Sequence, residues 1–237
     1  MKTPKPPVKT PKPPVKTPTA ILFDAGGTLV LQDPAALERR LGWPVDPDAA
    51  FEAHYRAMAE YSERMLAGTA TPWAWWVERY LELAGHPEPR TGAGRVDGGF
   101  GLWHHPIPGA AETVSGLREA GIRVAVVSNS DGSVAGSLET AGLAHLFEMI
   151  VDSALVGVHK PDPAIFHLAL EHLGLDGGSV WYVGDSAYHD LGGARAAGLA
   201  RAMLIDPLGL HRDVADRVHS VADLKPGGSA ALPLPGR

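Results

Sequence analysis

The 237-residue sequence contains no cysteine, which excludes disulfides, thiolate metal sites and a cysteine nucleophile. Carboxylate, hydroxyl, imidazole and amine groups are left to carry any chemistry. No apolar run approaches the roughly 18 residues that a membrane-spanning helix requires. The basic start of the chain also lacks the apolar segment of a secretory signal, so a cytoplasmic location and no membrane partner are expected. Positive charge is scarce beyond residue 18: the first 18 residues hold five lysines and no acid, and the remainder carries 16 basic against 27 acidic side chains. Nucleic acid is therefore not expected as a partner, because phosphate contacts need clustered Lys and Arg. Lysine itself is nearly absent, with only Lys160 and Lys225 beyond residue 18 against 14 arginines.

What is present falls into distinct stretches. KTPKPPV occurs twice, at residues 2–8 and 9–15, and proline at that density blocks both helix and strand. Residues 1–18 are expected to form an extended, disordered arm, read as a solvated tail, with recognition of a partner as the alternative role. Residues 31–107 read as a mostly helical insertion. Phe51, His54, Met58, Tyr61 and Met65 recur at steps of three and four, marking one face of a helix over 48–66. A second helix is expected from Pro72, with Trp73, Trp76, Val77, Tyr80, Leu81 and Ala84 on its apolar face. Trp75 falls on its polar side, where a substrate pocket or an interface could use it. Arg90 to Gly101 reads as a glycine-rich loop. From Pro108 onward helix and strand alternate, which argues for a parallel α/β sheet. A last strand, Arg201 to Ile205, is expected to lead into a final helical stretch, and residues 225–237 into a frayed tail. The core is thus assigned to 19–30 and 108–224, and the insertion to 31–107.

Polar groups sit where apolar strands end. Ile21–Phe23 runs into Asp24 and an Ala-Gly-Gly-Thr turn, Arg123–Val127 into Ser128, and Ser179–Val183 into Gly184 and Asp185; Lys160 lies in the loop after another strand. In an open parallel sheet those carboxyl ends lie side by side and bind ligands. Each residue alone has a plain reading as a cap, turn or surface charge, but four together point to one cleft. The set suits phosphoryl transfer. A carboxylate can act as nucleophile, and two carboxylates can hold a hard divalent cation such as Mg²⁺. Ser128 at a helix start can hold a phosphate oxygen, and an ammonium can neutralise the reacting group.

With these motifs on the page, the sequence resembles the haloacid dehalogenase superfamily of hydrolases over about residues 19–206. DAGGTLV from Asp24, VVSNS at Ser128, Lys160 followed by PDPAIF, and GDSAYHD with Asp185 and Asp190 stand in the family's order. The resemblance implies a Rossmann-like parallel-sheet core and a helical cap inserted between the first two motifs. It further implies a small phosphorylated substrate, Asp24 as nucleophile assisted by Lys160, and Mg²⁺ held by Asp24, the Gly26 carbonyl and Asp185. Asp190 would be a supporting anchor, and Thr28, Ser128 and Asn129 would be substrate-binding groups.

One position departs from the pattern of the family's phosphatases. These carry a second aspartate two residues after the nucleophile as general acid and base, and here Gly26 stands there. Losing such a group costs about 10² to 10⁴ in rate. His54, His104, His105, Tyr188 and His189 are conceivable substitutes, each read first as structural or solvated. A phosphatase with a substituted acid/base, or acting on a good leaving group, is the leading expectation. A non-catalytic binding protein and a 2-haloacid dehalogenase are the alternatives; the dehalogenase is disfavoured because Asp185 supplies a metal carboxylate and no tyrosine occupies position 26.

Overall fold

The computed structural model describes residues 17–86 and 102–225. The repeated arm up to residue 16, the loop Arg90 to Gly101 and the tail after residue 225 lie outside the described residues. Strand β1 (Ala20–Phe23) is buried along its whole length, as a continuous apolar run in the middle of a parallel sheet must be. The chain then forms β2 (Val30–Gln32), α1 (Pro34–Leu41), α2 (Pro47–Leu66), α3 (Trp73–Leu83) and β3 (Trp103–Pro106). It continues through α4 (Ala110–Glu119), β4 (Arg123–Ser128), α5 (Val134–Thr140), β5 (Ile150–Asp152), α6 (Ser153–Val156) and α7 (Ala164–Leu173). The last elements are β6 (Val180–Gly184), α8 (Gly193–Ala196), β7 (Arg201–Ile205) and β8 (Arg217–Val218).

Six strands form one parallel sheet in the order β5-β4-β1-β6-β7-β8. The chain leaves β1 toward one edge and returns to fill the other, so β1 lies at the point where the winding reverses, where open α/β sheets bind ligands. Phe23 pairs with Val126 of β4 and Val183 of β6. That register sets Asp24, Ser128 and Asp185 within a residue or two of one another along the same sheet edge.

Side-chain alternation divides the core into two layers. Ile21 and Phe23 pack with Val114 and Leu117 of α4 and Leu138 of α5 on one face. Ala20 and Leu22 pack with Ile165, Phe166 and Ala169 of α7 on the other. Helices α1 to α3 build a third apolar cluster around Leu37, Ala57, Trp76 and Tyr80. Helix α2 starts where Asp46 accepts hydrogen bonds from Asp48 N and Ala49 N, with Pro47 in its first turn, a favourable helix entry. An antiparallel pair, β2 with β3, carries the chain out to these helices and back.

Two local expectations need correction. No helix follows Asp206: a bend through Pro207 and Gly209 leads to β8, which pairs with β7 at the sheet edge, and to a short 3₁₀ turn at Val221–Asp223. The carboxylate of Asp206 ties this bend by accepting from Leu210 N and His211 N, which competes with helix formation. The segment between β5 and Lys160 contains the single-turn helix α6. After Asp185 the chain enters a π-helical turn over Ala187–Gly192 that leads into α8. Among the described residues no helix is long and apolar enough to cross a membrane.

Candidate active site

Asp24 follows β1 directly, and its backbone N–H still donates to Val183 O of β6, so its side chain is fixed at the sheet edge. Lys160, also buried, reaches it from the loop before α7. Its Nζ donates to Asp24 Oδ1 at 2.7 Å, to Asp190 Oδ1 at 2.7 Å and to the Tyr182 hydroxyl at 2.9 Å. All three ammonium protons are thereby used. Tyr182 donates in turn to Asp190 Oδ1 at 2.8 Å, and Asp190 Oδ2 accepts from Ser186 N at 2.8 Å. Asp190 is saturated by protein donors, which makes it an anchor for Lys160. Gly184 is required for this: a Cβ there would collide with the Asp190 carboxyl group.

Asp185 accepts from His54 Nε2 of α2 at 2.7 Å, both side chains being buried. A carboxylate only accepts, so Nε2 carries the proton, while the buried Nδ1 has no hydrogen-bond partner. Tyr55, the next residue of α2, donates to Gly27 O at 2.8 Å. Gly27 has a φ of 67°, and a Cβ there would strike both Asp185 and His54; glycine meets both demands.

Burial pushes Asp24 up to about 7, against the pull of the Lys160 ammonium and with the repulsion of Asp190 and Asp185. Burial also raises Asp185, opposed by its His54 hydrogen bond. For Lys160 burial acts downward, but the carboxylates of Asp190 and Asp24 carry it above its ordinary value. Burial lowers His189 to about 4, so its imidazole is neutral near pH 7. Carboxylate oxygens of Asp24, Asp185 and Asp190 lie within 4.8 Å of one another. Two of these residues keep an oxygen free of described hydrogen bonds, Asp24 Oδ2 and Asp185 Oδ1, whereas Asp190 keeps none. A hard cation balanced by Asp24, Asp185 and the neighbouring Gly26 carbonyl fits this donor set.

These groups floor a cavity of about 520 Å³. Of the expected substrate-binding residues, Ser128 and Asn129 line it, but Thr28 is fully buried and does not. Asn129 also has a structural task. Its Nδ2 donates to Lys160 O at 2.9 Å and its Oδ1 accepts from Lys160 N at 2.7 Å, so its amide positions the lysine backbone. Among the conceivable acid/base substitutes, His54 and His189 reach the cavity. His104, His105 and Tyr188 do not, and both imidazoles of β3 lie nearer Asp33. Expectation and structure also exchange two tryptophans. Trp73 lines the cavity, whereas Trp75 lies under the Arg64 guanidinium at 4.8 Å.

Three contributors escaped the sequence reading. Trp103 fills the space beside Gly26: a Cβ at Gly26 would lie 2.9 Å from Trp103 Cζ3. Tyr182, a polar aromatic in the middle of an apolar strand, was a visible signal. Asp152 ends β5 just as Asp24 ends β1, and it accepts from Gly132 N, Val134 N and Ala154 N to shape the loop after Ser128.

The haloacid dehalogenase-like hydrolase family model matches residues 18–198. The chain belongs to the haloacid dehalogenase-like hydrolases. It is 31% identical over 196 residues to human haloacid dehalogenase-like hydrolase domain-containing protein 3, covering 78% of each chain. It is also 31% identical over 205 residues to ribulose-1,5-bisphosphate 5-phosphatase of Halopiger xanaduensis, covering 80% of this chain and 85% of that one. A solved structure described as a dehalogenase superposes with a TM-score of 0.60 at 27% identity, over 88% of this chain and 96% of that one. Across this haloacid dehalogenase-like hydrolase, the four motifs meet at one sheet edge under helix α2.

Proposed function

We propose that this chain is a Mg²⁺-dependent phosphate-ester hydrolase acting on a small phosphorylated molecule through an aspartyl-phosphate at Asp24. The observation that carries the reading is the pairing of Asp24, held through Oδ1 by a fully engaged Lys160, with a free Oδ2 beside Asp185. Its relation to a ribulose-1,5-bisphosphate 5-phosphatase supports the same chemistry. Helices α1–α3 serve as a cap in this reading.

One oxygen of the Asp24 carboxylate attacks phosphorus, the bond from phosphorus to the leaving oxygen breaks with its electron pair on that oxygen, and the acyl phosphate forms. Water then attacks phosphorus, the bond to Asp24 breaks with its electron pair returning to the carboxylate, and phosphate leaves with both protons of the water, one of which it then shares with solvent. Lys160 keeps the carboxylate oriented and offsets charge as the phosphoryl group arrives. Ser128 and the start of the segment leading to α5 face the incoming oxygens. Asp24, the Gly26 carbonyl and Asp185 would hold Mg²⁺, which when bound offsets the repulsion between carboxylate and substrate anion.

Phosphate release from an aryl phosphate, with and without Mg²⁺, tests the reading. Turnover should require the metal and fall by about 10³-fold or more in Asp24→Asn. No turnover above that variant would make the chain a binding protein. The dehalogenase reading has one observation in its favour, the missing carboxylate beside Gly26, since halide departs without a proton. Metal-independent chloride release from 2-chloropropionate would establish it.

A further inference from the structure

An aromatic wall runs over the cavity from motif four to motif one. Tyr61 of α2 lies against His189 with centroids 5.6 Å apart and meets Trp73 edge-on at 5.9 Å. Trp73 stacks on Trp76 at 4.5 Å and 11°, and Trp76 reaches Trp103 at 6.0 Å. Met58 adds an adaptable thioether. Trp76 is buried, but Trp73 lines the cavity and is 39% exposed.

Charge is missing from the same wall. Among the described residues the cavity is lined by no arginine and by one lysine, Lys160, whose donors are already committed to Asp24, Asp190 and Tyr182. A second phosphate or a carboxylate on the substrate would find no ammonium or guanidinium free among the described lining residues, and leaving an anion unpaired in such a place is costly. Beside Gly26, where an acid could protonate the departing oxygen, the Trp103 ring stands instead. A phenol, ionising near about 10, departs as its anion far more readily than an alcohol. The wall and the missing acid thus select the same kind of leaving group.

We infer that the substrate class of this site is an aryl phosphate monoester with no second anionic group, its ring stacked on Trp73 and its aryloxide leaving past Trp103 without a protein proton. In this step the bond from phosphorus to the aryl oxygen breaks, the electron pair goes to that oxygen, and solvent water later protonates it. The inference rests on the phosphatase reading above.

Initial rates with Mg²⁺ should be compared for 2-naphthyl phosphate, acetyl phosphate, glycerol phosphate, phosphoserine and ribulose 1,5-bisphosphate. The expected order places kcat/KM for 2-naphthyl phosphate about 10²-fold or more above glycerol phosphate, the lower end of what a missing acid costs an alkyl ester. It stands above phosphoserine and the bisphosphate as well. Trp73→Ala should lower the ratio of kcat/KM for 2-naphthyl over acetyl phosphate about tenfold, the scale of one aromatic contact, and Trp73→Phe should restore most of it. A bisphosphate, phosphoserine or glycerol phosphate turned over as well as the naphthyl ester overturns the inference, as does a Trp73→Ala ratio equal to that of the wild type. Binding is read separately, by quenching of tryptophan fluorescence as 2-naphthyl phosphate is titrated into Asp24→Asn protein. Saturable quenching that inorganic phosphate reverses supports the class even where the hydrolysis reading fails. Quenching that phosphate leaves untouched overturns it.

Discussion

The floor and the roof of the cavity are made of opposite materials. The floor is ionic: Lys160 donates to Asp24, Asp190 and Tyr182 within 2.9 Å, and Tyr182, in the middle of β6, donates in turn to Asp190. The roof is aromatic, and three hydrogen bonds of α2 seat it on that floor, His54 to Asp185, Tyr55 to the Gly27 carbonyl and the Ser62 hydroxyl with that of Ser186. A buried charge network tolerates little displacement, because each group left unpaired in low dielectric is expensive. Stacked rings tolerate sliding and substitution. In the proposed function chemistry falls to the ionic floor and selection to the aromatic roof.

The sharpest way to break this division is to remove the hub of the floor. Lys160→Met leaves two buried carboxylates without their ammonium and should cost about 3–5 kcal/mol, measured by urea unfolding of metal-free protein. A loss below about 1 kcal/mol would mean the network is not the rigid element. Next comes the seam between the two parts. Gly26→Asp should give no gain on glycerol phosphate, because its Cβ meets Trp103. Combining it with Trp103→Ala should raise that rate by about 10²-fold, the lower end for a positioned acid/base. An unchanged rate in the double variant would show that another group already supplies the proton.

A smaller effect concerns pH. Unfolded His189 takes up its proton around the ordinary 6.5, but folded His189 only near 4. Between these values the unfolded chain binds more protons, so this residue draws stability down as pH falls from about 6.5 toward 4, by at most about 2 kcal/mol at pH 5. His189→Gln should lose less stability than wild type between pH 7.5 and pH 5; equal losses would sink the assignment. The smallest effect belongs to the surface of the helical layer. Arg79 grips Glu60 through two nitrogens at 2.7 and 2.9 Å, yet both partners are solvated. Arg79→Ala should shift the unfolding midpoint by no more than about 1 kcal/mol, and a larger shift would mean the roof is held by its rim.

The rule that an apolar strand ending in a carboxylate marks the site was productive and also over-productive. It picked out Asp24 and Asp185. The same pattern occurs at Asp152 and Asp206, both buried, both tied to backbone N–H groups of their own or a neighbouring loop. The distinction is in the partner: a structural carboxylate is satisfied by nearby backbone, whereas Asp24 and Asp185 face side chains more than 130 positions away in sequence. Lys160 was legible as a break in the chain's preference for arginine. Thr28 was misjudged because motif position says which loop a residue occupies, not whether its side chain reaches the cavity.

What the sequence by itself determined is the central strands of the parallel sheet, their burial, and the carboxylates and lysine delivered to one edge. These follow from local apolar runs and from the two-residue period that forces side chains to alternate between the faces of a sheet. Strands β2, β3 and β8 came only with the structure. Tertiary structure alone decided that Trp103 would occupy the space beside Gly26, that His54 would rest on Asp185, and that Trp73 rather than Trp75 would look into the cavity. The helical period of α3 names a buried stripe, but the packing of that helix on α2 chooses which residue at the stripe's margin meets the ligand. Contacts of that kind join segments far apart in the chain, and no local pattern encodes them.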